Sequence, residues 1–256
     1  MLALVANAVV RALLAPACAA CEELLERPLV SPVCPGCWRR VPAIAPPWCA
    51  RCGDAIDAWR AADPLCARCR RRPPGFVLAR SAGAYEGSLR AIVQAFKYDR
   101  RRALAAPLGA LMRATGADVL AGVDAAVPVP LHPYRALERG FNQADDLART
   151  LDLPVWRALR RTRHGPPQAG LPAARRHGNV RDAFALRVYP RRPALRNAVV
   201  VLVDDVMTTG ATINACATVL LDAGVRNVRV LTAARAVAGR PVPPPRPPHL
   251  WLAQRR

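Results

Sequence analysis

Fourteen consecutive residues, Val199-Val-Val-Leu-Val-Asp-Asp-Val-Met-Thr-Thr-Gly-Ala-Thr212, carry the densest chemistry of the chain. The apolar, β-branched run reads as a buried strand, ended by Asp204 and Asp205. Two adjacent carboxylates are costly as core. At the carboxyl end of a strand in an open α/β sheet, however, they lie where ligands bind, and they suit the vicinal hydroxyls of a sugar. Thr208, Thr209, Gly210, Ala211 and Thr212 follow as a small-residue loop running into a helix. Free backbone N–H groups and the positive end of the helix dipole make such a loop a phosphate cradle. The threonine hydroxyls add donors, and Gly210 permits close backbone approach. Acids for a ribose beside a cradle for its 5′-phosphate describe a phosphoribosyl site. A capped strand–turn–helix would account for one of these polar residues but not for all of them. No Gly-x4-Gly-Lys-Ser/Thr loop occurs, so a Walker-type site is excluded.

A second group of reactive residues lies near the N-terminus. Cys18/Cys21, Cys34/Cys37, Cys49/Cys52 and Cys66/Cys69 are four identical Cys-x2-Cys pairs, separated by 12, 11 and 13 residues. Two intervening residues let both thiolates of a knuckle face one ion, and a second knuckle completes a tetrahedron. The arithmetic gives two four-cysteine zinc sites, paired in sequential order, with interleaved pairing left open by spacing alone. Four thiolates leave no open coordination position, so the ions are expected to be structural. A disulfide scaffold is the alternative, but it needs export. The stretch Met1–Ala15 is apolar apart from Asn7 and Arg11, and Arg11 lies inside that stretch, where a secretory signal places its charge ahead. Residues 1–15 read instead as a short amphipathic helix packed on the domain. Cys216 lies in an apolar helical stretch and reads as ordinary core.

The elements that must position these groups alternate. Phe76–Tyr85 reads as a strand or hairpin, Ser88–Tyr98 and Arg102–Thr115 as helices, and Val123–Val129 as a buried strand. Asn142–Leu151 and Ala211–Asp222 follow as helices, with strands at Ala198–Val203 and Val228–Leu231. Strand, helix and strand at this spacing imply a parallel sheet with right-handed crossovers. The organisation expected is a helix over 1–15, a zinc module over 16–72, an α/β domain over 76–238 and a Pro/Arg-rich disordered tail over 239–256.

The chain has 256 residues and a formal charge of +20, from 38 basic and 18 acidic side chains. With 52% apolar residues a core can form, so wholesale disorder is excluded. No run of 18 uncharged apolar residues occurs, which argues against integral membrane association and for a cytoplasmic protein. Residues 60–113 hold 12 basic and 3 acidic residues, and 157–196 hold 11 and 1. That density suits phosphate-backbone contact, and Trp38, Trp48 and Trp59 offer either base-stacking surfaces or small ribbon cores. An arginine-rich coding bias would give the same skew. Lys97 is the single lysine.

The 199–212 segment resembles the phosphoribosyl pyrophosphate (PRPP) signature of type I phosphoribosyltransferases. With the cysteine module, the chain resembles the ComF family of competence-associated proteins. Phe96-Lys97-Tyr98, Val127-Pro-Val-Pro-Leu131 and Arg139-Gly-Phe-Asn-Gln143 agree with it, as do Gln168, Leu171, Arg175 and Asn179. The resemblance implies an α/β fold: a type I phosphoribosyltransferase-like parallel sheet flanked by helices, with a small zinc-ribbon module. It implies that Asp204 and Asp205 hold the ribose hydroxyls of PRPP, and Thr208 to Thr212 its 5′-phosphate. The turn after Pro130 would face the pyrophosphate, with Arg135 and Arg139 close by, and residues 161–180 would form a closing loop. Transfer at the anomeric carbon needs the leaving charge spread over Mg²⁺ and cationic groups, for which Lys97, Arg135 and Arg139 are the candidates. Thr208 stands where purine-salvage relatives carry an acid, so no base for a purine nitrogen is visible. The acceptor goes unnamed. The alternative is a single-stranded nucleic-acid-binding factor with a regulatory or vestigial PRPP site, since the family is associated with DNA-uptake machinery.

Overall fold

Five consecutive buried apolar residues, Val199 to Val203, leave no face of their strand for water, so helices must cover both sides. The computed structural model describes residues 2–56, 64–99, 101–132, 137, 140–162, 183–187 and 195–236, and shows this strand inside a parallel sheet. It contains β1 (Leu78–Ser81), β2 (Ala125–Pro128), β5 (Val199–Met207) and β6 (Asn227–Arg235), in the order β1-β6-β5-β2. All three pairings are parallel, with Val201 opposite Ala126 on one side and Arg229 on the other. A separate antiparallel pair joins β3 (Leu159–Arg161) to β4 (Phe184–Leu186).

Strand side chains alternate, so Val200 and Leu202 serve one face and Val201 and Val203 the other. The first face is covered by α8 (Ala211–Asp222), through Ile213, Cys216, Ala217 and Leu220. On the second lie α4 (Gly87–Tyr98) and α5 (Ala105–Thr115), preceded by a single 3₁₀ turn at Arg102–Leu104. The helix α4 presents Leu89, Ile92, Val93 and Phe96, the spacing of one helical face. Short helices α6 (Ala117–Leu120) and α7 (Gln143–Ala148) complete the connections, with Asn142 capping α7 through its side-chain oxygen.

The cysteine-bearing segments carry α2 (Pro35–Arg39) and α3 (Ala67–Arg71), each started by a cysteine whose sulfur accepts a backbone N–H. Each segment joins a different side of the sheet. Cys18 and Cys37 pack into the core under α4 and α5, and Cys49, Cys52 and Cys69 into the core under α8. The N-terminal α1 (Leu2–Leu14) is helical as expected, but its packing is not that of an amphipathic helix on a core. Leu4, Val5, Val9, Leu13 and Leu14 are exposed, while Asn7 is buried and accepts the Leu29 N–H at 3.0 Å. Among the described residues, no helix is long and apolar enough to cross a membrane.

Candidate functional site

The strand β5 does not end at the two acids. It continues through Asp204 and Asp205 to Met207, because β6 supplies ladder partners to the end: Asp204 opposite Thr232 and Met207 opposite Arg235. The acids are thereby fixed on a rigid element. Asp204 is half-buried, Asp205 is buried, and the Asp205 N–H donates to Asp204 Oδ1 at 2.8 Å. Asp204 acts on the α8 face, where burial first and this carboxylate second push the Cys216 thiol up. Asp205 meets the opposite layer. Lys97 Nζ, from the last turn of α4, lies 2.8 Å from Asp205 Oδ1. Burial pulls the ammonium down, but the Asp205 carboxylate, with Tyr85 and Asp204 adding to it, outweighs burial and holds Lys97 above the ordinary lysine range. The lysine stays charged.

The loop expected to receive a phosphate begins with Thr208, Thr209 and Gly210, the first two exposed. Gly210 adopts φ +78, a left-handed conformation that opens α8 at Ala211. Thr209 Oγ1 accepts the Ala211 N–H at 3.4 Å, and the Asn214 N–H returns to the Gly210 carbonyl at 2.8 Å. The remaining first-turn N–H groups of this twelve-residue helix have no intrahelical acceptor and lie at the positive end of its dipole. Loop, acids and Lys97 therefore share one edge, the carboxyl ends of the parallel strands. Tyr85, in the segment after β1, contributes there too. It went unread as a site residue in the sequence, although its place at the end of an expected strand was the signal available. Arg135 and Arg139 lie outside the described residues, as do Gln168, Leu171, Arg175, Asn179, Trp59 and the tail.

The eight N-terminal cysteines form two clusters in sequential order: Cys18, Cys21, Cys34 and Cys37, then Cys49, Cys52, Cys66 and Cys69. Within each, all sulfurs lie within 4.8 Å of one another. Cys21 and Cys34 sulfurs are 3.8 Å apart, and Cys52 and Cys66 sulfurs 3.7 Å. Thiolates about 2.3 Å from a tetrahedral zinc stand about 3.8 Å from each other, so the geometry fits that ion. Burial pushes the Cys18 thiol up, but N–H bonds from Cys21, Cys34 and Ala20 outweigh it and leave it at about 7. Cys49 behaves alike, also at about 7, through N–H groups of Cys52, Cys66 and Arg51. Trp38 packs against the core under α4 and α5 and donates to Ser31 Oγ at 3.2 Å, whereas Trp48 stays 39% exposed with the Arg80 guanidinium 5.9 Å above its ring.

Comparison with known proteins accords with both halves. Residues 9–72 match the double zinc ribbon domain, and residues 137–244 the phosphoribosyl transferase domain. The chain is 33% identical over 214 residues to competence protein F of Haemophilus influenzae, covering 80% of this chain and 90% of that protein. The chain belongs to the ComF family. Another relative is the DNA utilization protein YhgH of Escherichia coli K12, 32% identical over 195 residues, 71% of this ComF-family chain and 81% of that one. Among solved structures, the allosteric regulatory enzyme of purine biosynthesis is similar at 19% identity and a TM-score of 0.35, over 55% of this chain and 30% of that one. Orotate phosphoribosyltransferase from Aeropyrum pernix is similar at 19% identity and a TM-score of 0.33, over 54% and 75%.

Proposed function

We propose that the chain binds PRPP with Mg²⁺ at the carboxyl edge of the sheet and serves DNA uptake in natural transformation. The observation that carries this reading is the left-handed Gly210 opening α8 three residues beyond the end of a strand that bears Asp204 and Asp205. In it, Asp204 and Asp205 accept the ribose hydroxyls, and the backbone of Thr208, Thr209, Gly210, Ala211 and Thr212 receives the 5′-phosphate. The carboxylates at the strand end also suit a hard divalent cation, which would neutralise part of the pyrophosphate charge when bound. The ammonium of Lys97, already charged and close by, suits the departing pyrophosphate, with Arg135 and Arg139 in the same role. Transfer to an acceptor then follows the reaction class of the fold: the bond from the anomeric carbon to pyrophosphate breaks as the bond to the acceptor forms.

Calorimetric titration with PRPP, with and without Mg²⁺, tests the reading. Wild-type protein should bind in a Mg²⁺-dependent way, and the Asp204→Asn/Asp205→Asn variant should not. Pyrophosphate release in the presence of acceptors tests transferase activity. Equal binding by wild type and variant overturns the site.

A second reading has one observation of its own, the exposed indole of Trp48 under the Arg80 guanidinium, a surface on which a base can stack. It makes the chain a single-stranded DNA-binding factor, in keeping with relatives named for competence and DNA utilization. Salt-dependent binding of a single-stranded oligonucleotide that resists displacement by duplex DNA and heparin supports it.

A further inference from the structure

Arg235 ends β6 at the edge that carries Asp205, yet it is only 1% exposed. Its Nε donates to Asp54 Oδ1 at 3.1 Å, and its Nη1 to the Cys52 carbonyl at 2.8 Å. Nη2 lies 3.7 Å from Cys52 Sγ. The same Nη1 lies 3.1 Å from Sδ of Met207, the register partner of Arg235 on β5. Met207 in turn walls the phosphate loop, since a Cβ built on Gly210 would stand 2.8 Å from its Cε. One side chain thus touches a ligand of the second cysteine cluster and the residue behind the loop glycine.

The contacts around Arg235 belong to the ribbon as much as to the sheet. Asp54 is buried, its carbonyl accepts the Cys49 N–H at 2.7 Å, and its second oxygen takes Arg68 at 3.2 Å. The Arg235 backbone is engaged as well, its carbonyl accepting the Tyr85 N–H at 2.7 Å. Among the described residues, no guanidinium from the sheet meets a cysteine sulfur of the first cluster; Arg101, which precedes the 3₁₀ turn, reaches the Ala17 carbonyl instead, at 3.1 Å. The cation of that cluster is Arg40, an exposed side chain of the same ribbon, with Nη2 3.4 Å from Cys37 Sγ.

A buried guanidinium needs acceptors in fixed places, because its planar fork presents five donors and cannot give up its charge. Zinc held by four thiolates makes the second cluster net anionic and locks the knuckle that carries Cys52. Without the ion, the Cys52 carbonyl and sulfur are no longer held in register with Asp54. Arg235 must then seek other acceptors, and Met207 follows it.

We propose that Arg235 is a positioning residue through which zinc in the second cluster, and not in the first, sets the conformation of the phosphate loop. Zinc retention there and anion binding at the loop are then linked, each strengthening the other by the same factor. This rests on the reading of residues 208–212 as a phosphate site, but the loop itself can be followed without ligand.

The test uses the full zinc-loaded chain. Hydrogen exchange of the backbone amides of residues 207–213 is measured beside zinc content and PRPP affinity. Arg235→Lys can place its one ammonium where Nη1 meets the Cys52 carbonyl and Met207 Sδ, or beside Asp54, but cannot hold both ends together as the guanidinium does. It should keep its full zinc content while loop exchange speeds up about tenfold and PRPP affinity falls about tenfold. Should that variant fold poorly, Cys69→Ser removes a ligand that does not touch Arg235 and should loosen the same amides. Arg40→Met removes the guanidinium from the first cluster and should leave loop exchange unchanged. If PRPP fails to bind even the wild type, the reading of the site falls, while the exchange result still decides the coupling. Loop exchange unchanged in both Arg235→Lys and Cys69→Ser overturns the proposal, as does equal loosening by Arg40→Met.

Discussion

The ion pair between Lys97 and Asp205 joins two largely buried charges from distant parts of the chain. Their side chains are 14% and 12% exposed, and Nζ stands 2.8 Å from Oδ1. Removing one partner of a buried pair leaves the other charge uncompensated and costs about 3–5 kcal/mol; the residual exposure places this pair near the lower value. Lys97→Met and Asp205→Asn should therefore each destabilise the chain by about 3 kcal/mol. For a domain of this size, that is a fall in Tm of roughly 6–12 °C. The double variant leaves neither charge of this pair behind and should lose about 1–3 kcal/mol, the cost of an unpaired buried amide, well short of the summed singles. The sign of the pH dependence follows from the raised lysine. Its stabilisation is complete below the ordinary lysine range and is lost only as pH climbs through the higher folded value. The gap between wild type and Lys97→Met should thus stay flat from about pH 6 to about pH 9 and close at alkaline pH. Urea unfolding of all four proteins in saturating zinc, followed by circular dichroism across pH, measures it. Singles that cost under about 1 kcal/mol each and add simply would show a solvated pair. They would remove the claim that Lys97 holds Asp205 in place.

The remaining expectations concern metal, loop and nucleic acid. Elemental analysis of protein purified under reducing conditions should find two zinc ions per chain, and a metal content near zero with intact disulfides refutes this. Because cysteines of the two clusters belong to cores on both sides of the sheet, chelation should lower the melting temperature of the whole chain. An unchanged melting curve after complete zinc removal counts against it. Gly210→Ala places a Cβ at φ +78 and beside Met207 Cε, so it should cost about 1–2 kcal/mol and abolish PRPP binding. Wild-type affinity in that variant would show that the cradle is not the binding element. Trp48→Ala removes an exposed indole and should weaken a single-stranded oligonucleotide by about 1–3 kcal/mol with little change in stability. Equal displacement of that strand by heparin reduces the binding to charge alone.

Local pattern made much of this protein readable. The helix Ala211–Asp222 has the bounds expected from its apolar spacing and from Gly224 beyond it, because capping and period are properties of neighbouring residues. Cys-x2-Cys spacing likewise fixed the knuckles, since two residues suffice to aim both thiolates. The strand bearing the acids was read too short. Its hydrophobicity stops at Val203, and only the ladder with β6 carries it on to Met207. The packing of α1 was misread for a related reason: what docks it is Asn7 on a backbone N–H of a later loop, which no hydrophobic pattern reports.

What the sequence alone determined, then, is chemistry that sits within a few residues of itself: two acids before a small-residue loop, a glycine opening a helix, and four knuckles of thiolates. The tertiary structure decided what those groups face. Lys97 reaches Asp205 across 108 residues of chain, and Arg235 reaches Asp54 across 181. Neither pairing leaves a trace in spacing or composition, because an arginine-rich chain offers many cations of equal promise. Burial chooses among them. The ion pairs that matter are the ones the sheet and its two covering layers force together out of water, where a charge without its partner cannot remain.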